Sequence, residues 1–126
     1  MITLINNIFG QGIEFDRKCY LKYLKDWIDP FGLPEVVDHE GFMVVRDDLI
    51  EFGSKCRFGD YLVKNCTKDT LVYVQPRCGF AGISLSYLAN KYNKRLVLFM
   101  PSSKEISDHQ AICIERGAVP KFRRIA

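Results

Sequence analysis

Long apolar runs are missing from this chain. Its longest, Leu96-Val97-Leu98-Phe99-Met100, has five residues, against roughly 20 needed to cross a bilayer as a helix. No membrane partner is therefore expected. The opening segment MITLINNIFG also lacks the charged and cleavage regions of a signal peptide, which makes the cytoplasm the expected location. Charge of one sign is not concentrated either. The 18 basic and 15 acidic residues are interspersed for a net charge of +3, which argues against nucleic acid as the main partner. The densest basic spot, Lys121-Phe122-Arg123-Arg124, reads as a solvated strand edge. Histidine is scarce, with only His39 and His109, and the five cysteines form no C-x-x-C pair. That excludes the usual zinc frameworks, and an odd cysteine count argues against a closed set of disulfides. No metal is expected. Buried reduced thiols are the default, and only Cys78 stands where a helix start would lower its pKa. Internal repeats and low-complexity tracts are absent too.

What the chain does have is apolar content, 48% over 126 residues, enough for one real core. The most informative stretch is DTLVYVQPRCGFAGISLSYLANKYNKRLVLFMP, residues 69–101. Leu71-Val72-Tyr73-Val74 is strand-like, Pro76 stops it and Gly79 permits a tight turn. Residues 80–93 then read as a helix with apolar steps at Phe80, Ile83, Tyr87 and Leu88, and residues 96–100 as a second strand. Strand, glycine loop, helix and strand make a βαβ unit. Strands this apolar predict a parallel sheet covered on both faces, hence a small three-layer αβα domain of three or four mostly parallel strands.

In such sheets ligands bind beyond the carboxyl ends of the strands, which here means residues 77–82. Unpaired backbone N–H groups and the helix dipole would hold a phosphate or carboxylate there, with Arg77 able to add charge. Gly79 and Gly82 do not make the dinucleotide fingerprint, so a plain tight turn is the alternative reading. A second feature is Lys55. Ser54 can cap a helix over residues 55–64, on which Lys55, Phe58 and Leu62 share a face. Desolvation and the dipole would both favour a neutral, nucleophilic amine. The alternative is a lysine that reaches out to solvent.

Around these lie a short strand candidate at residues 2–8 and an amphipathic helix at 16–28, capped by Asp16, with Tyr20, Leu21, Leu24, Trp27 and Ile28 on one face. A strand candidate covers residues 41–46. A capping box from Ser102 to Glu105 predicts a helix running to about Arg116, with Gly117 as its C-cap. His109 reads as a surface position on it, and Tyr61 as core. The chain divides into an N-terminal segment, 1–40, and an α/β domain, 41–126.

Two ordered blocks carry a family resemblance. Val45-Arg46-Asp47-Asp48-Leu49, then Phe52-Gly53-Ser54-Lys55-Cys56-Arg57 and Tyr61-Leu62, resemble the segment around the cofactor lysine of D-cysteine desulfhydrases and 1-aminocyclopropane-1-carboxylate deaminases. Cys78-Gly79-Phe80-Ala81-Gly82-Ile83-Ser84-Leu85, running on to Met100-Pro101, resembles the S-G-N-T-G-I-A-L…M-P stretch of cysteine synthases, and Gly117-Ala118 continues the match. Residues 43–126 are thus similar to the small domain of the fold-type-II pyridoxal-phosphate enzymes, the tryptophan-synthase-β-like group. The resemblance implies that Lys55 forms the Schiff base with pyridoxal phosphate. It implies also that Arg77, Cys78, Gly79 and Ala81 take the carboxylate of an amino-acid-like substrate, and that Phe80 stands beside the cofactor. Such a protein would be a lyase or deaminase. The family's asparagine, which bonds the cofactor's ring oxygen, falls on Phe80 here. The family's phosphate cup comes from a later half, so a completing chain, a homo-oligomer or a longer parent of which this is a piece is expected to supply it. Two other classes compete: a non-catalytic pseudoenzyme or binding module that keeps the anion loop, and an interaction protein that pairs through its open sheet edge.

Overall fold

In the computed structural model, which describes residues 28–124, the first regular element is a hairpin. Strands β1 (Val36–His39) and β2 (Phe42–Val45) pair antiparallel, Val36 opposite Val45. Glu40 and Gly41 both take positive φ, 51° and 84°, as a two-residue turn matching the strand twist requires. The Gly41 N–H donates to Asp38 Oδ1 at 3.1 Å. Strand β2 is the one expected over 41–46, whereas β1 was not foreseen. A 3-10 turn, Asp47–Leu49, leads into α1 (Lys55–Asn65).

The βαβ reading is borne out in order. Strand β3 (Thr70–Val74) is followed by α2 (Ala81–Lys91), β4 (Arg95–Pro101), α3 (Asp108–Glu115) and β5 (Val119–Arg123). The sheet runs β3-β4-β5, all parallel, with Leu71 opposite Leu96 and Val97 opposite Val119. The chain is thus a mixed α/β fold. One sheet face presents Leu71, Leu96, Leu98 and Met100 to Val63 of α1, Ile83 and Leu88 of α2 and Cys113 of α3, and these residues form the buried core. Cys56, Cys66 and Cys113 are buried free thiols, as expected, while Cys78 is exposed.

On the other sheet face Val72 and Val74, which alternate with the core positions, are 56% and 62% exposed, while Val97 is buried. Among the described residues the helices that contribute to the core pack on the first face. The helix expected from Ser102 also starts later. The Ser102 N–H donates to Arg123 O at 2.8 Å, which continues the β4–β5 pairing past Pro101. The capping box forms instead at Ser107 and Gln110. Gly117, at φ 92°, ends that helix as expected.

Two polar clusters tie α1 to its surroundings. The Arg57 guanidinium, largely buried, donates to Asp29 Oδ2, to Gly32 O at 2.6 Å and to Asp47 Oδ1 at 2.8 Å. Asp60 accepts from Lys91 Nζ at 2.6 Å and from the Tyr92 hydroxyl at 2.7 Å, pinning α1 to the end of α2. That hydrogen bond raises the Lys91 pKa, and burial, with Asp60 beside it, raises that of Tyr92. The strand and helix expected at 2–8 and 16–28 lie outside the described residues, apart from Ile28. No described helix is long and apolar enough to cross a membrane, and no cluster of metal-ligating side chains occurs among the described residues.

Candidate functional site

The carboxyl end of β3 is shaped by Gln75, a fully buried polar residue directly after the strand. Its backbone N–H donates to Phe99 O at 2.9 Å, extending the β3–β4 ladder by one residue. Its side chain then staples the following loop. Nε2 donates to Gly79 O at 3.0 Å, and Oε1 accepts the Gly82 N–H at 2.8 Å. Gly79 sits at φ 136°, and a Cβ on Gly82 would lie 2.4 Å from Gln75 Oε1. Glycine is required at both positions, for conformation at the first and for space at the second. Phe80 occupies the cap position of α2 in helical geometry, without a side-chain cap bond. The backbone N–H groups of Gly79, Phe80 and Ala81 find no acceptor among the described residues, as the first turn of a helix leaves them. They lie where the sequence predicts an anion to bind.

Arg77 does not extend freely from this loop. Its Nη1 donates to Ser103 Oγ and, at 2.9 Å, to Glu105 O, while its own carbonyl accepts from the Ser107 hydroxyl. These bonds clasp the loop after β3 to the loop after β4. Through them Arg77 holds the 102–107 segment as well as bringing charge to the edge of the sheet. Cys78 is exposed between the two.

The segment that leads into Lys55 lies against the start of α2. The Ser84 hydroxyl donates to Phe52 O, and a Cβ on Gly53 would meet Ser84 Oγ at 3.0 Å and Phe80 Cβ at 3.2 Å. Gly53, at φ 86°, thus lets its backbone lie directly on the first turn of α2. The Phe52 ring stacks on Tyr87 with 4.1 Å between centroids, and the Arg116 guanidinium covers it at 4.4 Å. Lys55 begins α1 two residues after Gly53. Segments 52–55 and 77–81, far apart in sequence, are therefore neighbours.

One expectation about Lys55 is corrected. The buried residues of α1 are Cys56, Arg57, Asp60 and Val63, not Lys55, Phe58 and Leu62. Lys55 is exposed and Phe58 is 58% exposed, so the lysine does not stand on a buried apolar face. The apolar pattern missed this because the inward face includes an aspartate satisfied by Lys91 and Tyr92. Ser54 stands at the cap position, but its hydroxyl makes no cap bond. Tyr61 is half-buried.

Three participants were not foreseen. Gln75 shapes the loop, and its only sequence signal is a polar residue between an apolar run and a proline. Ser107 caps α3 and bonds Arg77 O. His109, expected at the surface, is half-buried with its ring edge-on to Phe80 at 5.4 Å. Comparison of the chain with protein-family models, with curated proteins and with solved structures finds no match.

Proposed function

We propose that this chain forms one wall of a pyridoxal-phosphate-dependent lyase or deaminase site for an amino acid, in a domain related to the small domain of the fold-type-II enzymes. Lys55 supplies the primary amine, and loop 77–81 receives the carboxylate. The observation that carries the reading is the seat of Gly53 on Phe80 and Ser84, which brings the segment before the lysine helix against the start of α2, where N–H groups find no acceptor among the described residues. The two segments are also the two that carry the family resemblance.

The residues present fit one side of that cofactor. Lys55 offers an accessible amine, and Gly79, Phe80 and Ala81 offer backbone donors. Phe80 offers no hydrogen bond to the ring oxygen. When bound, the cofactor supplies an electron sink for bonds to the amino acid's α-carbon. The chain's own residues orient the substrate: the loop fixes its carboxylate, Arg77 keeps the two loops together, and Lys55 carries protons at its Nζ. The remaining wall comes from outside these residues, as a later part of a longer chain, a second chain or a second copy, and the site operates in the cytoplasm, where thiols stay reduced.

The test is to add pyridoxal phosphate to the full chain, record the visible spectrum, and fix any adduct with borohydride. A saturable band that disappears in Lys55→Ala supports the reading. Labelling spread over surface lysines contradicts it. A second reading, a binding module without chemistry, is favoured by Phe80 and by the exposure of Lys55. It predicts that Lys55→Ala leaves ligand binding unchanged.

A further inference from the structure

Two apolar surfaces of the described residues stand exposed, and they are opposite in charge. The first is the sheet face turned away from the core. Strand alternation and register put Val72 and Val74, Val97 and Phe99, and Val119, Lys121 and Arg123 on it. The Arg123 guanidinium lies over the Phe99 ring at 5.7 Å, as residues of one face should. Val72 and Val74 are exposed, and so are Lys121 and Arg123, which form no ion pair among the described residues. The three strands contain no acidic residue at all. Parallel sheets normally have both faces covered, so this apolar and basic face calls for a partner.

The second surface is the β1–β2 hairpin. The pairing of Val36 with Val45 and of Asp38 with Met43 puts these four residues on one face, and all four are exposed. Glu35, Asp38 and Glu40 surround it and form no ion pair among the described residues. A two-stranded hairpin is marginal in water and gains stability when an apolar face is packed. The two surfaces do not meet within one copy, since both are exposed. Arg57, bonded to Asp29, Gly32 and Asp47, ties the base of the hairpin to α1, whose Val63 packs on the opposite face of the sheet. Residues 16–28 do not match the basic face either. Arg17, Lys18, Lys22 and Lys25, against Asp16 and Asp26, give that segment the same sign.

We infer that the hairpin of one copy of this chain packs on the outer sheet face of another. Val36, Met43 and Val45 meet Val72 and Val74, and Glu35, Asp38 and Glu40 turn toward Lys121 and Arg123. Each copy gives a hairpin and takes one, as a reciprocal pair or as a head-to-tail row. The contact involves neither Lys55 nor the 77–81 loop.

The test is sedimentation of the full chain over a range of concentrations. Its mass is expected to rise above that of one chain with concentration, and to fall back as salt screens the charges. Val74→Glu sets a carboxylate against the acidic hairpin, and Met43→Ser with Val45→Ser strips the hairpin's apolar face. Each is expected to weaken association about tenfold or more. Both alter exposed side chains, and circular dichroism checks that each variant is folded. Lys121→Glu, at a third exposed position, should weaken association and reduce its salt dependence. Mixed one to one, the first two variants retain one intact junction, the hairpin of the Val74→Glu chain on the sheet face of the other, and should form pairs. A chain that stays monomeric at every concentration overturns the inference, as would follow if residues 1–27 covered either surface. Association that survives Val74→Glu or the hairpin variant overturns it, and so does a mixture that forms no pairs.

Discussion

At the scale of single residues, the site depends on positions where nothing but hydrogen fits. Gly82 faces a buried amide that already uses both its ends, and a Cβ would also approach Cys113 Sγ to 3.0 Å. Gly82→Ala is therefore expected to destabilise the fold by about 1 to 3 kcal/mol, as overpacking does, despite alanine's better helix propensity. Urea denaturation checks this, and an unchanged midpoint would mean that Gln75 swings aside at no cost. Lys55 makes the opposite case. It is exposed, so Lys55→Ala should shift stability by no more than about 0.5 kcal/mol while abolishing the borohydride label. A large loss of stability would reveal a structural role instead. The spacing of Lys55, Phe58 and Leu62 pointed to the wrong face because residues 56, 60 and 63 also recur at steps of three and four. Asp60, satisfied inside by Lys91 and Tyr92, and the buried Arg57 hide that second face from a count of apolar residues.

Among elements, the parallel βαβ core was legible because each strand is a continuous apolar run closed by proline or a polar turn. The hairpin was not. Its four-residue strands are too short to set a period, and a glutamate at positive φ gives no sequence signal. The start of α3 was ambiguous in a different way: Ser102…Glu105 and Ser107…Gln110 both have capping-box spacing, and the choice is made by β5, which takes up the Ser102 N–H. Ser107→Ala should therefore cost about 1 kcal/mol, the ordinary value of an N-cap, and loosen the clasp with Arg77. Ser102→Ala, tied only through its backbone, should cost much less. Thermal unfolding of the two variants measures the difference, and equal losses would contradict the assignment of the cap.

For the molecule as a whole, four titrating groups act in one direction. Burial pushes the Cys56 and Cys113 thiols up, the bond to Asp60 raises Lys91, and burial raises Tyr92. Each binds its proton more tightly folded than unfolded. Their contribution is complete below the ordinary thiol value of 9.0 and is lost as pH rises through the raised folded values. Stability should therefore fall progressively above about pH 9, and the fall should shrink when Cys56 or Cys113 is replaced by alanine. A flat profile from pH 8 to 11 would remove the argument.

Among the described residues, Val72 and Val74 stand exposed on the sheet. The proposed function requires that the Lys55 amine and the 77–81 loop belong to one site. The most direct measurement is a titration of the isotope-labelled full chain with pyridoxal phosphate, following backbone amide resonances. The account predicts that Gly79, Phe80, Ala81 and the residues flanking Lys55 shift together along one saturation curve, while the Val36–His39 hairpin strand stays still. Shifts confined to one of the two segments, or two segments saturating at different concentrations, would contradict it.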